Sequence, residues 1–96
     1  MYAVMRSYSG KGSKELFDVL EKSKSDLGKV MSGIKGFVGY TLARSGDGGF
    51  SLTSCLDKAG ADESARVAKD WIAKNAANVS VSPPMVSEVT VILQMK

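Results

Sequence analysis

The sequence predicts an α+β domain whose elements run strand, helix, strand, strand, helix, strand, and three observations predict it. Apolar residues recur with a period of two at both ends of the chain. They recur at helical spacing in two longer segments, and a glycine-rich turn separates two β-rich runs at the centre. The length of 96 residues has room for one domain, spanning residues 1–96.

Residues 2–8 alternate Tyr2, Val4, Arg6 and Tyr8 with Ala3, Met5 and Ser7, which is a strand. Ser9-Gly10-Lys11-Gly12 breaks it, and Ser13 is expected to cap a helix over residues 13–30, where Leu16, Leu20, Leu27 and Met31 share a face. Its glycine-rich start lacks the Gly-Lys-Ser/Thr ending of a phosphate loop and reads as a capped turn. Residues 37–44 and 50–57 form a hairpin across Ser45-Gly46-Asp47-Gly48-Gly49. Asp62 is expected to cap a second helix with a thin stripe of Ala61, Ala65, Ala68, Ile72 and Ala76. Pro83-Pro84 end a polar loop, and residues 86–95 read as the last strand, with Glu88, Thr90 and Gln94 on one face. Two strand-helix-strand units in succession give the ferredoxin-like arrangement, a four-stranded antiparallel sheet with both helices on one face.

A domain this short hides only about 60 to 65% of its unfolded surface, so its own core is small. Cys55 is the sole cysteine, so no internal disulfide compensates. The sheet face turned away from the helices must carry apolar residues such as Met5 or Val4 and Val91 or Ile92. A homodimer through that face is therefore expected.

Composition narrows the function classes. Net charge is +3, from 13 basic and 10 acidic side chains, and the lysines are scattered, so no nucleic-acid partner is expected. Lys35-Gly36-Phe37 matches the start of an RNA-recognition motif, but it follows the first helix and Val38-Gly39 break the pattern. No segment is long and apolar enough for a bilayer or a signal peptide, which predicts no membrane partner and a cytoplasmic location. The chain has no histidine, and its carboxylates show no ligand spacing, so no metal and no cofactor are expected.

With Ile34-Lys35-Gly36-Phe37-Val38-Gly39-Tyr40 after the first helix and Trp71 on the second, the chain resembles the dimeric α+β barrel superfamily. Within it, the likeness is to the small single-domain proteins grouped with the antibiotic-biosynthesis monooxygenases. The resemblance implies a homodimer whose facing sheets leave a cavity between sheet and helices in each subunit. It also implies activities ranging from cofactor-free oxygenation of aromatic compounds to ligand sensing. Haem degraders of this type use a helix histidine, which this chain lacks.

The residues themselves suggest a ligand site without a catalytic set. Arg6 in mid-strand either pairs internally with Glu88 or holds an anionic group. Trp71, placed on the flank of the alanine stripe, either fills core volume or stacks on a planar ligand, while Tyr8, Thr90 and Gln94 would orient it. Cys55 has no base to activate it. The expected function is binding of a small aromatic or anionic molecule, with cofactor-independent monooxygenation as its extension; the alternative is a non-catalytic sensing or structural dimer.

Overall fold

A computed structural model describes residues 1–95. The elements are β1 (Tyr2–Tyr8), α1 (Ser13–Lys22), α2 (Lys24–Ser32), β2 (Phe37–Ser45), β3 (Gly48–Cys55), α3 (Lys58–Asn75) and β4 (Met85–Thr90). All pairings are antiparallel and the strand order is β2-β3-β1-β4. That is the ferredoxin-like topology predicted, with β1 and β3 central and β4 at an edge.

Residues directly opposite across a ladder point to the same face. The register sets Arg6 against Ser51 and Val86, and Ser51 against Leu42. These side chains lie toward the helices, with Leu20, Leu27, Ala68 and Ile72 across from them. The other face carries Met5 opposite Leu52, Ser7 opposite Phe50 and Met85, and Ala3 opposite Val89. Met5, Met85 and Val89 are exposed there. The core on the helix side is built from Tyr8, Leu16, Phe17, Leu20, Leu27, Met31, Ile34, Cys55 and Trp71.

Several boundaries differ from expectation, each for a local reason. The first helix is two helices, because Ser23 at φ −108°, ψ 19° leaves the helical region. The break redirects the chain from over β3, where α1 packs, to over β2, where α2 packs. Gly12, at φ +79°, is the residue before α1, and Ser13 is already inside it; its buried hydroxyl has no partner among the described residues. Asp57, not Asp62, caps α3, its Oδ1 accepting from the Gly60 amide at 2.9 Å. Asp62 instead bonds Lys58, its neighbour one turn earlier.

The hairpin turn is tighter than the sequence suggests. Ser45 pairs with Gly48, which leaves only Gly46 and Asp47 in the turn. Gly46 takes φ +58° at the first of the two positions, as a type II′ turn requires. The last strand is shorter than expected: β4 ends at Thr90, so Val91, Ile92 and Gln94 lie beyond the sheet.

Residues 78–82 pack against the turn after β1. The Ser82 amide donates to the Lys11 carbonyl at 2.9 Å. A side chain at Gly12 would overlap the Ser80 carbonyl. The glycine-rich turn thus serves to seat the proline segment that follows.

Candidate functional site: a cleft beside α3

Arg6 and Tyr8 are two residues apart on one strand, so both point to the helix side. The guanidinium donates to the Tyr8 hydroxyl through Nε at 3.2 Å and Nη2 at 2.8 Å. The Tyr8 ring is set in turn by an edge contact with Phe17, at 6.0 Å between centroids. Among the described residues, Arg6 makes no ion pair. The internal Arg6–Glu88 pair allowed for by the sequence does not form. The register sets Glu88 opposite Val4 and Val86 opposite Arg6, and Glu88 lies 3.6 Å from Lys58 instead.

Arg6 and Tyr8 form the floor of a cleft of about 450 Å³ between α3 and the chain leading into β4. Lys69, Ile72 and Ala73 line it from α3, and Val81, Ser82, Pro83, Pro84 and Val86 from the opposite side. The spacing of Lys69, Ile72 and Ala73 puts them on one face of α3. The lining is mainly apolar and holds two cations and no carboxylate. Such a cleft is of the size and character that small-molecule sites usually have.

Arg6 and Tyr8 also border a second, much smaller space of about 10 Å³, bounded further by Tyr40, Leu42 and Ser51 from the sheet. Burial pushes the Tyr40 phenol up, reinforced by Tyr8, while the Ser51 hydroxyl and Arg6 draw it back. Tyr40 therefore stays a neutral phenol at ordinary pH, able to donate a hydrogen bond but not to act as a base.

Of the five residues singled out in the sequence, the structure brings together Arg6 and Tyr8 only. Trp71 is 5% exposed and lines neither space; its indole N–H donates to Asp26 Oδ2 on α2 at 3.1 Å. The buried face of α3 runs through Gly60, Ala61, Ser64, Ala68 and Trp71, so the tryptophan sits within that face rather than on its flank. Thr90 is opposite Tyr2, four residues along β1 from Arg6, or about 13 Å at strand rise. It borders a separate depression of about 90 Å³ with Lys58 and Glu88. Gln94 lies past the end of β4 and is exposed.

Tyr40, Ser51, Lys69 and Ile72 were missed as site residues. Periodicity shows which residues of one strand share a face, but only inter-strand register aligns Ser51 with Arg6. The one available signal was Ile72 within the α3 stripe, with Lys69 one turn before it.

No protein-family model matches the chain, and no curated protein does. Solved structures do. A protein of unknown function from Nitrosomonas europaea, NE2512, superposes with a TM-score of 0.75 at 18% identity, covering 99% of this chain and 92% of its own. The monooxygenase ActVA-Orf6 of Streptomyces coelicolor, solved with nanaomycin D, gives 0.69 at 12%, covering 99% and 90%. A MhuD variant with two manganese protoporphyrin IX groups per active site gives 0.68 at 20%, covering 99% and 97%. The chain has a ferredoxin-like α+β fold similar to that of these proteins, a monooxygenase among them. At these identities the likeness concerns the fold.

Proposed function

We propose that this protein binds a small, partly aromatic molecule with an acidic hydroxyl or carboxyl group, in the cleft floored by Arg6 and Tyr8. The observation that carries the reading is a half-buried guanidinium whose only hydrogen-bonding partner among the described residues is a phenol, at the foot of a cleft without acids. A cation kept free of carboxylates lowers the cost of ionising a bound phenol or carboxylic acid. The apolar walls from Ile72, Val81, Pro83 and Pro84 suit a flat hydrocarbon body.

The functional unit is a homodimer formed through the sheet face that carries Met5, Leu52, Phe50 and Val89. That face offers an apolar surface with no cover in a single copy, and a second copy would supply the core that a chain this short lacks. As an extension, the site oxidises its ligand without metal or flavin. The phenolate or enolate that Arg6 favours is the electron-rich form that reacts with dioxygen; the ligand itself supplies all four electrons, one oxygen atom entering it as a new carbonyl in place of two hydrogens and the other leaving with them as water. A second reading, a sensing dimer without turnover, is favoured by the lack of any base in the lining, whose titratable groups are Arg6, Tyr8 and Lys69.

Native mass spectrometry of the purified protein reports subunit count and any retained small molecule together. Titration with 1-hydroxy-2-naphthoate then tests the site. Arg6→Gln should weaken binding by roughly tenfold or more, as expected for a charge-assisted hydrogen bond, and unchanged affinity would remove the proposed site. Oxygen uptake on adding the ligand separates the oxygenase from the sensor.

A further inference from the structure

The polar groups that reach the cleft are unevenly divided between donors and acceptors. An arginine carries five N–H donors, and the Tyr8 hydroxyl takes two of those of Arg6, so three have no partner among the described residues. Lys69, which lines the cleft from α3, adds an ammonium with three more. Its own helix offers it no carboxylate. The residues three and four positions away are Ala65, Arg66, Ile72 and Ala73, while Glu63 and Asp70 are both bonded to Arg66. The opposite wall supplies little in return, because Pro83 and Pro84 have no N–H and the Ser82 amide donates to the Lys11 carbonyl. No carboxylate lines the cleft on any side.

The two cations stand at different depths. Arg6 is half-buried on the central strand β1, whereas Lys69 is exposed on α3. Ile72, one turn after Lys69 on the same face, also adjoins Arg6 and Tyr8, so an apolar stretch of wall separates the two charges.

We propose that the molecule this cleft takes carries two acidic groups, one at each end of an aromatic body, and that Lys69 selects for the second of them. This rests on the reading of the cleft as the binding site. Arg6 and Tyr8 hold the inner acid, the rings lie against Ile72 and the prolines, and the outer acid reaches Lys69. An exposed ammonium costs nothing to leave in water, so a monoacid of the same size still binds. Lys69 therefore sets a preference, screened by salt, while Arg6 sets whether binding occurs.

The test uses naphthalene-2,6-dicarboxylate and its monomethyl ester, which share one aromatic body and differ by one charge. Both are titrated calorimetrically into wild type, Lys69→Gln, Lys74→Gln and Arg6→Gln. Wild type should bind the diacid more tightly than the ester. Lys69→Gln should cut that preference by about two- to fivefold, the scale of an exposed ion pair, with the ester's affinity nearly unchanged. Lys74→Gln, exposed on the same helix but outside the cleft lining, should keep it. The wild-type preference should also shrink as ionic strength rises from about 0.01 M to about 1 M, where the screening length falls from about 30 Å to about 3 Å. A preference that is absent in wild type, or that survives Lys69→Gln undiminished, overturns the inference even though Arg6→Gln weakens both probes. If Arg6→Gln changes neither affinity, the cleft itself is not the site, and the inference falls with it.

Discussion

The Arg6 guanidinium grips the Tyr8 hydroxyl with two of its nitrogens, at 3.2 and 2.8 Å, while its central carbon lies 5.8 Å from the Tyr8 ring centroid. The phenol oxygen accepts both bonds, which leaves its own proton to donate onward. Tyr8→Phe should lower stability by about 1 kcal/mol. A double-mutant cycle of Tyr8→Phe with Arg6→Ala, read from urea midpoints, should give a coupling of at least ~0.5 kcal/mol. Additive effects would mean that the pair is not held as described.

Trp71 is a structural residue of α3 tied to α2 through Asp26. Trp71→Ala should cost about 3–5 kcal/mol, as for other large core truncations. Asp26→Ala should cost about 1 kcal/mol. Because Trp71 is the chain's one tryptophan, its fluorescence follows the unfolding of Asp26→Ala, while circular dichroism follows that of Trp71→Ala; Trp71→Phe should leave the affinity for aromatic acids within about twofold of wild type, since the indole lines neither cavity.

Gly49 is needed where β3 passes under α1. A Cβ there would come within 2.5 Å of the Phe17 ring, at the centre of the core. Gly49→Ala should therefore destabilise by about 1–3 kcal/mol or more, the usual range for overpacking. Gly39→Ala, where nothing lies within 4 Å, serves as the control. Chemical denaturation of the two variants side by side checks the difference.

Stability should fall in mildly alkaline solution. Burial raises the Cys55 thiol above its ordinary 9.0, helped by Asp57, and raises the Tyr40 phenol above its ordinary 10.0. In each case the folded state keeps a proton that the unfolded state gives up. The contribution is therefore full below the unfolded value and is lost as pH rises through the folded one. Urea midpoints should decline from about pH 9 upward, and Tyr40→Phe should flatten the part of the decline above about pH 10. An equal slope in the variant would show that the phenol does not titrate across unfolding.

The proposed dimer through the open sheet face should yield to a charge placed in its middle. Met5 stands on β1 opposite Leu52 and Ser87, near the centre of that face. Met5→Asp should shift sedimentation from dimer to monomer at micromolar concentration, whereas Ser45→Asp, at the hairpin turn, should not. A wild-type monomer under the same conditions would overturn the dimer outright.

Element order and the pairing of side chains within each strand were legible in the residues, because both follow from local chain geometry. The period of two in residues 2–8 placed Arg6 and Tyr8 on one face, and the glycines at 46, 48 and 49 marked the hairpin. The ends of elements were less legible. The β-rich composition of residues 86–95 continues past Thr90, but a strand ends where its neighbour ends, and β1 begins at Tyr2.

Local pattern was enough for a ferredoxin-like element order with an arginine and a tyrosine on one face of its first strand. That Glu88 goes to Lys58 and leaves Arg6 with Tyr8, that Trp71 turns to Asp26, and that Ile72 borders the cleft were settled by three-dimensional packing. The reason is physical. Helix and strand periods are set by neighbours a few bonds apart, whereas register, helix placement and the partners of a charge depend on residues distant in the chain, whose meeting no local pattern encodes.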